Sequence, residues 1–144
     1  MYTKNFLYHM AIFTIFLGFC GIGLITYWLI KPYDILTFSE GNGKLLNTTV
    51  VSGGYLRIQR NFCKNMPTMA QVSRQFIDSL KYNAHVENSN EPIGCRQDIL
   101  YIYVPKALPP GKYYVKDTYV YAPNPIRKIV YTLETQSFDI LLKE

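Results

Sequence analysis

Few residues in this chain have side chains suited to covalent or metal chemistry. There are two histidines, His9 and His85, and three cysteines, Cys20, Cys63 and Cys95. A Ser-His-Asp or Cys-His nucleophile needs a histidine as base. Only His85, in the polar stretch "NAHVENSN", lies away from the apolar N-terminus. The chain has no G-x-S-x-G, P-loop, H-E-x-x-H or Rossmann glycine pattern. "GFCGIG" falls inside an apolar run, where its glycines cannot cradle a phosphate. The 10 carboxylates are scattered. The sequence therefore predicts no catalytic residue, no metal ligand, no cofactor and no enzymatic activity.

The chemistry left to Cys63 and Cys95 is oxidation to a disulfide. Neither belongs to a C-x-x-C pair, and only His85 is near enough in sequence to help with zinc. Closing a loop of this length contributes about 3–4 kcal/mol by restricting the unfolded chain. Disulfides persist outside the cytosol. A Cys63–Cys95 bridge is predicted, the alternative being two free thiols in a cytosolic domain. Cys20 sits in the apolar run and is expected to be inert.

The second candidate site is a binding loop. "YAPNPIRK" sets Tyr121 and Asn124 beside Arg127 and Lys128. Two prolines stiffen the stretch, which lowers the ordering cost of binding. The expectation is a partner-binding loop for an anionic or peptide ligand, the alternative a rigid turn with no ligand.

These residues must be carried by two kinds of element. Residues 6–30, "FLYHMAIFTIFLGFCGIGLITYWLI", hold no formal charge. At about 1.5 Å per residue such a helix crosses a hydrocarbon core of about 30 Å with some tilt. Aromatic residues mark both ends, Tyr2, Phe6 and Tyr8 at one and Tyr27, Trp28 and Tyr33 at the other. Lys31 and Pro32 stop the helix after Ile30. The run is too long for a cleaved signal peptide, and no A-x-A-like site follows. In "LGFC", Phe19 is too bulky for a lipoprotein cleavage at Cys20. An uncleaved membrane anchor is expected, with a short tail at residues 1–5. Thr14 and Gly18 have a small-xxx-small spacing, so a homo-oligomer through the helix is one option. Lysines on either side barely discriminate the orientation.

Residues 31–144 read as one β-domain. Charged residues are only 17% of the chain, and there are 13 tyrosines. That balance suits half-buried strands. Beyond Lys31, 13 basic residues face 10 acidic ones, dispersed and without a run. No nucleic-acid partner is expected, while weak attraction to an anionic membrane surface is. Turn signals recur at "EGNG", "SGG", "KNMP", "NSNEPIG", "PKALPPG" and "APNP". In "YLRIQRNF", Leu56, Ile58 and Phe62 share one face, which Arg60 breaks. "DILYIYV" is apolar throughout, as a central strand is. Tyr113, Val115, Tyr119 and Tyr121 share a face with Asp117. Residues 68–83 read either as a helix behind a Thr68 cap or as a strand over 75–82.

"LPPGKY", from Leu108 through Gly111 to Tyr113, resembles the tyrosine corner of immunoglobulin-like and fibronectin-type domains. With about seven short strands, the expected fold is an all-β, Ig-like sandwich preceded by one transmembrane α-helix. "YAPNPIR" would then be the connection between its last two strands, where such domains often bind.

"KPYDIL", "VSRQF", "GCR", "LPPGKYYV", "YVYAPNPIR" and "TLETQSF", in that order, are similar to segments of small tailed-bacteriophage proteins with one N-terminal membrane helix. The resemblance implies a bacterial inner membrane with the domain in the periplasm, and supplies no activity or functional residue. On this basis the expected function is a membrane-anchored, non-enzymatic module. It would bind a protein of the bacterial envelope or the phage, for example in superinfection exclusion. The alternatives are a holin-like lysis protein and a minor structural or assembly factor.

Overall fold

Helix α1 spans Tyr2–Ile30 and so begins ahead of the expected 6–30 segment. In this computed structural model residues 2–141 are described. Met1, residues 142–144 and the side chains of Tyr2, Thr3, Lys4 and His85 lie outside the described residues. The expectations resting on Tyr2, His85 and the lysine ahead of the apolar run lie there too. No residue interrupts α1 before Pro32. Two of its threonine hydroxyls are satisfied internally, Thr14 Oγ1 donating to Met10 O at 2.9 Å and Thr26 Oγ1 to Ile22 O at 2.8 Å. Residues Asn5–Ile30 are long and apolar enough to cross a membrane. Apart from the half-buried Trp28, their side chains, Phe6 and Ile30 among them, are exposed. A helix apolar all round belongs in lipid or a large core.

The described residues fall into two compact units. One is α1 through Tyr33, together with Asn124–Arg127. The other is Asp34–Pro123 together with the residues from Lys128 onward.

The second unit is built from strands. β1 (Leu36–Phe38), β2 (Lys44–Leu45), β4 (Tyr55–Lys64) and β7 (Gly94–Tyr103) form one sheet. β3 (Thr49–Val51), β5 (Ala70–Ile77), β6 (Lys81–Ser89), β8 (Gly111–Asn124), β9 (Arg127–Glu134) and β10 (Phe138–Leu141) form the other. In the first sheet β4 is central, with β1 and β2 along one edge and β7 along the other. In the second the order is β3-β10-β8-β5-β6, with β9 also on β8. All the pairings in register are antiparallel except β3 with β10. Leu56, Ile58 and Ile102 of one sheet meet Phe76, Tyr113, Val115, Phe138 and Ile140 of the other in one buried cluster. The architecture is consistent with a β-sandwich.

Three expectations need correction. Among the described residues there are ten strands rather than about seven. The strand along one edge of β4 is broken into β1 and β2, and β9 and β10 both pair with β8. The single strand expected over 75–82 is the end of β5, a tight turn and the start of β6. In that turn Leu80 N donates to Asp78 Oδ1 at 2.5 Å and Asp78 N donates to Leu80 O at 3.1 Å. The helical spacing of Val72 and Phe76 is equally an even spacing, so both face inward on β5. Finally, β7 is an edge strand, since its registered partner is β4 alone. Its apolar run divides between an inward face with Leu100 and Ile102 and an exposed face with Ile99, Tyr101 and Tyr103.

Candidate functional site

Cys63 and Cys95 are registered partners on β4 and β7. They form a disulfide with Cα atoms 3.9 Å apart. Alternation along the strands places both on the outward face, Cys63 half-buried and Cys95 exposed. The bond points to an oxidising compartment. Cys20 on α1 is free and exposed.

Below the bridge, the same outward face is a ladder of cross-strand pairs. Asn61 opposes Gln97, Gln59 opposes Ile99, Arg57 opposes Tyr101, and Tyr55 opposes Tyr103. The Tyr55 and Tyr103 rings meet edge to face at 5.7 Å. Tyr55 and Tyr101 are each 58% exposed. One cation, Arg57, and no carboxylate belong to this ladder. The signal for it was present in the sequence as tyrosines on alternate positions. Whether that face is covered depends on the place of β7 in the sheet, which no local pattern states.

The expected binding loop is dispersed. Tyr121 is 3% exposed, and its ring packs edge to face on Tyr131 at 6.0 Å. Burial pushes its hydroxyl up to about 12. Tyr131 Oη accepts from the backbone N–H groups of Ile35 and Leu36 at 3.2 and 3.4 Å. Lys128 is exposed. Asn124 and Arg127 lie in the helix unit and serve the end of α1. Asn124 Nδ2 donates to Trp28 O at 3.3 Å and to Tyr33 Oη at 3.1 Å, while its Oδ1 accepts from Ile126 N at 3.1 Å. One Arg127 Nη donates to Leu29 O at 3.0 Å and Lys31 O at 2.7 Å. The Trp28 and Leu29 carbonyls are among the last of the helix, which have no intrahelical donor, Lys31 O follows just past its end, and a cation there also meets the negative end of the helix dipole.

Around the corner, Tyr113 is 1% exposed and its hydroxyl donates to Pro109 O at 3.0 Å. Burial pushes Tyr113 up to about 12. Leu108 is buried, and Gly111 begins β8. An open hollow of about 520 Å³ lies between this corner and the "SGG" turn, bordered by Ser52, Gly53, Lys106 and Pro109. Gly53 has φ +84°, which favours glycine, and a Cβ there would press on the Lys106 stem at 3.1 Å.

Sequence reading missed a set of buried and part-buried charges. Arg60, inward on β4, donates to Asp98 at 2.7 and 2.5 Å and to Glu91 at 3.2 Å. Glu91 also takes Arg96 at 2.5 Å, and its backbone carbonyl takes Lys64 Nζ at 2.5 Å. Burial lowers the Lys64 pKa, Lys64 being 2% exposed. On the facing sheet Arg74 and Asp117 are registered partners of β5 and β8. Arg74 Nε lies 2.8 Å from Asp117 Oδ1 and its Nη2 3.3 Å from Oδ2. Burial raises the Asp117 pKa against the opposing pull of Arg74. The sequence signals were Arg60 interrupting one apolar face and Asp117 sitting on another. The acceptors on these carboxylates are taken up by arginine, which suits buried ion pairing. Among the described residues, no three His, Cys, Asp or Glu side chains gather to hold a metal ion.

The chain matches no protein-family model and no curated protein.

Proposed function

We propose that this chain is a membrane-anchored, non-enzymatic binding module whose partner docks on the outward β4–β7 face. The observation that carries this reading is the composition of that face. Tyrosines 55, 101 and 103, Ile99 and a lone Arg57 lie together without a carboxylate, beside the outer edge of β7. Interface cores are enriched in Tyr and Arg and depleted in Lys, Asp and Glu. An outer strand edge offers backbone groups to an extended partner segment. The Cys63–Cys95 bridge ties the two strands of the face together.

An Ig-like domain accommodates these elements. In support, β3 runs parallel to β10, β8 lies between β10 and β5, and Tyr113 bonds back to Pro109 at the start of β8. The disulfide departs from that pattern, joining two strands of one sheet rather than bridging both sheets. With the resemblance to small tailed-phage proteins, the setting becomes a host inner membrane with the domain in the periplasm. The partner becomes an envelope or phage protein, and the role a change in infection such as exclusion of a second phage.

The test is growth and phage challenge of bacteria expressing the full chain. The expected result is steady growth with fewer plaques, reversed by Tyr101→Asp at a site too exposed to threaten folding. Abrupt lysis that requires residues 1–30 would overturn it in favour of a holin-like protein. Protection untouched by Tyr101→Asp and by Tyr55→Asp would remove the β4–β7 face from the mechanism.

A further inference from the structure

We infer that the end of α1 and the Asn124–Arg127 turn form a binding site for the phosphate of an anionic phospholipid headgroup. The inference rests on the anchoring proposed above. Residues Asn5–Ile30 form an apolar span of 26 residues, about 39 Å at 1.5 Å each, against a hydrocarbon core of about 30 Å. With its middle in the core, the Leu29 and Lys31 carbonyls sit at headgroup depth. Arg127 reaches both carbonyls, at 3.0 and 2.7 Å, so its guanidinium shares that depth.

Two cations meet there on one aromatic ring. Arg127 Cζ lies 5.6 Å and Lys31 Nζ 5.8 Å from the centroid of Tyr33, and Lys31 Nζ also lies 5.2 Å from that of Tyr27. This unit contains no Asp or Glu in its sequence. Among the described residues, no carboxylate forms an ion pair with either cation. Arg127 uses one terminal nitrogen on the backbone carbonyls, which leaves Nε and the other Nη of its fork for a phosphate. Leu29, Ile30 and Ile126 are 54%, 74% and 48% exposed and give the acyl chains an apolar collar. Cations at this depth with no protein counter-charge match the negative surface of a phosphatidylglycerol-containing leaflet.

Trp28, the one tryptophan of the chain, stands at the site and reports on it. The full chain is reconstituted in phosphatidylcholine vesicles holding a minor fraction of brominated phosphatidylglycerol or, in parallel, brominated phosphatidylcholine. Stronger quenching by the anionic lipid is expected, equivalent to roughly fivefold preferential association per cation. It should weaken in Lys31→Gln and in Arg127→Gln, weaken less in Arg127→Lys, which keeps the charge but loses the fork, and resist added inorganic phosphate. Lys31→Gln leaves the carbonyl contacts of Arg127 in place and so guards against misfolding. Equal quenching by both lipids would overturn the headgroup site while leaving the anchor standing. A preference erased by inorganic phosphate would make the site one for free phosphate and overturn the lipid assignment. Absence of quenching by either lipid would show that α1 is not in the bilayer, a failure of the anchoring itself.

Discussion

Replacing Asp117 by Leu should cost about 3–5 kcal/mol, while replacing Asp117 and Arg74 together by Leu and Met should cost nothing or stabilise by about 1–4 kcal/mol. The pair lies between the sheets, with the Arg74 and Asp117 side chains 9% and 8% exposed. Removing the carboxylate alone leaves a guanidinium in the core. Its nearest remaining acidic neighbour is Glu87, at 3.9 Å and 46% exposed, too distant and too wet to replace a bond of 2.8 Å. Removing both charges takes away two desolvation penalties and adds apolar packing beside Val72 and Val115. The raised Asp117 pKa points the same way: burial outweighs the attraction of Arg74. Because the folded value lies above the unfolded 3.8, the folded state holds a proton that the unfolded state releases. The contribution of Asp117 is therefore fullest below pH 3.8 and declines as pH rises through the folded value. Urea unfolding of the full chain in detergent, followed by near-UV circular dichroism at several pH values, measures each quantity. A single substitution costing less than about 1 kcal/mol, with a double variant equal to the sum of the singles, would refute the reasoning.

Reducing Cys63–Cys95 releases a closure of 32 residues and should cost about 4 kcal/mol, lowering the melting temperature by roughly 15–30 °C. Melts with and without reductant check this, and two thiols open to alkylation before reduction would contradict the bridge. Alkali should unfold the domain between pH 10 and 12. Tyr113 and Tyr121 are pushed up to about 12 by burial, and Tyr119 is raised as well. Their stabilisation is complete below pH 10 and is lost as pH rises through about 12. Tyrosinate absorbance rising together with loss of near-UV dichroism is the expected record.

Much of the architecture was legible locally. Alternation of period 2 put Leu56, Ile58 and Phe62 on one face, and the same face of β4 is buried. A run of uncharged residues ended by Lys31-Pro32 marked the helix, and two downstream cysteines left one intramolecular disulfide. Each depends on neighbours in sequence or on a choice with one outcome. Residues 75–82 failed because an apolar even spacing looks the same on one strand as across a tight hairpin until Asp78 is seen binding Leu80 N. The charges on Arg60 and Arg74 failed for another reason: their partners lie 38 and 43 residues away and are selected by strand register.

What the sequence by itself determined was which residues prefer a membrane, which alternate between core and solvent, and which thiols can pair. Only the tertiary structure decided where those faces lie. It put the apolar "DILYIYV" run at a sheet edge, turning Tyr101 and Tyr103 to solvent. It buried Tyr121 and committed Asn124 and Arg127 to the carbonyls closing α1. The physical reason is that burial and hydrogen-bond partnership are properties of pairs of segments. A strand carries its own alternation wherever it goes, but the strand beside it is chosen by the whole chain.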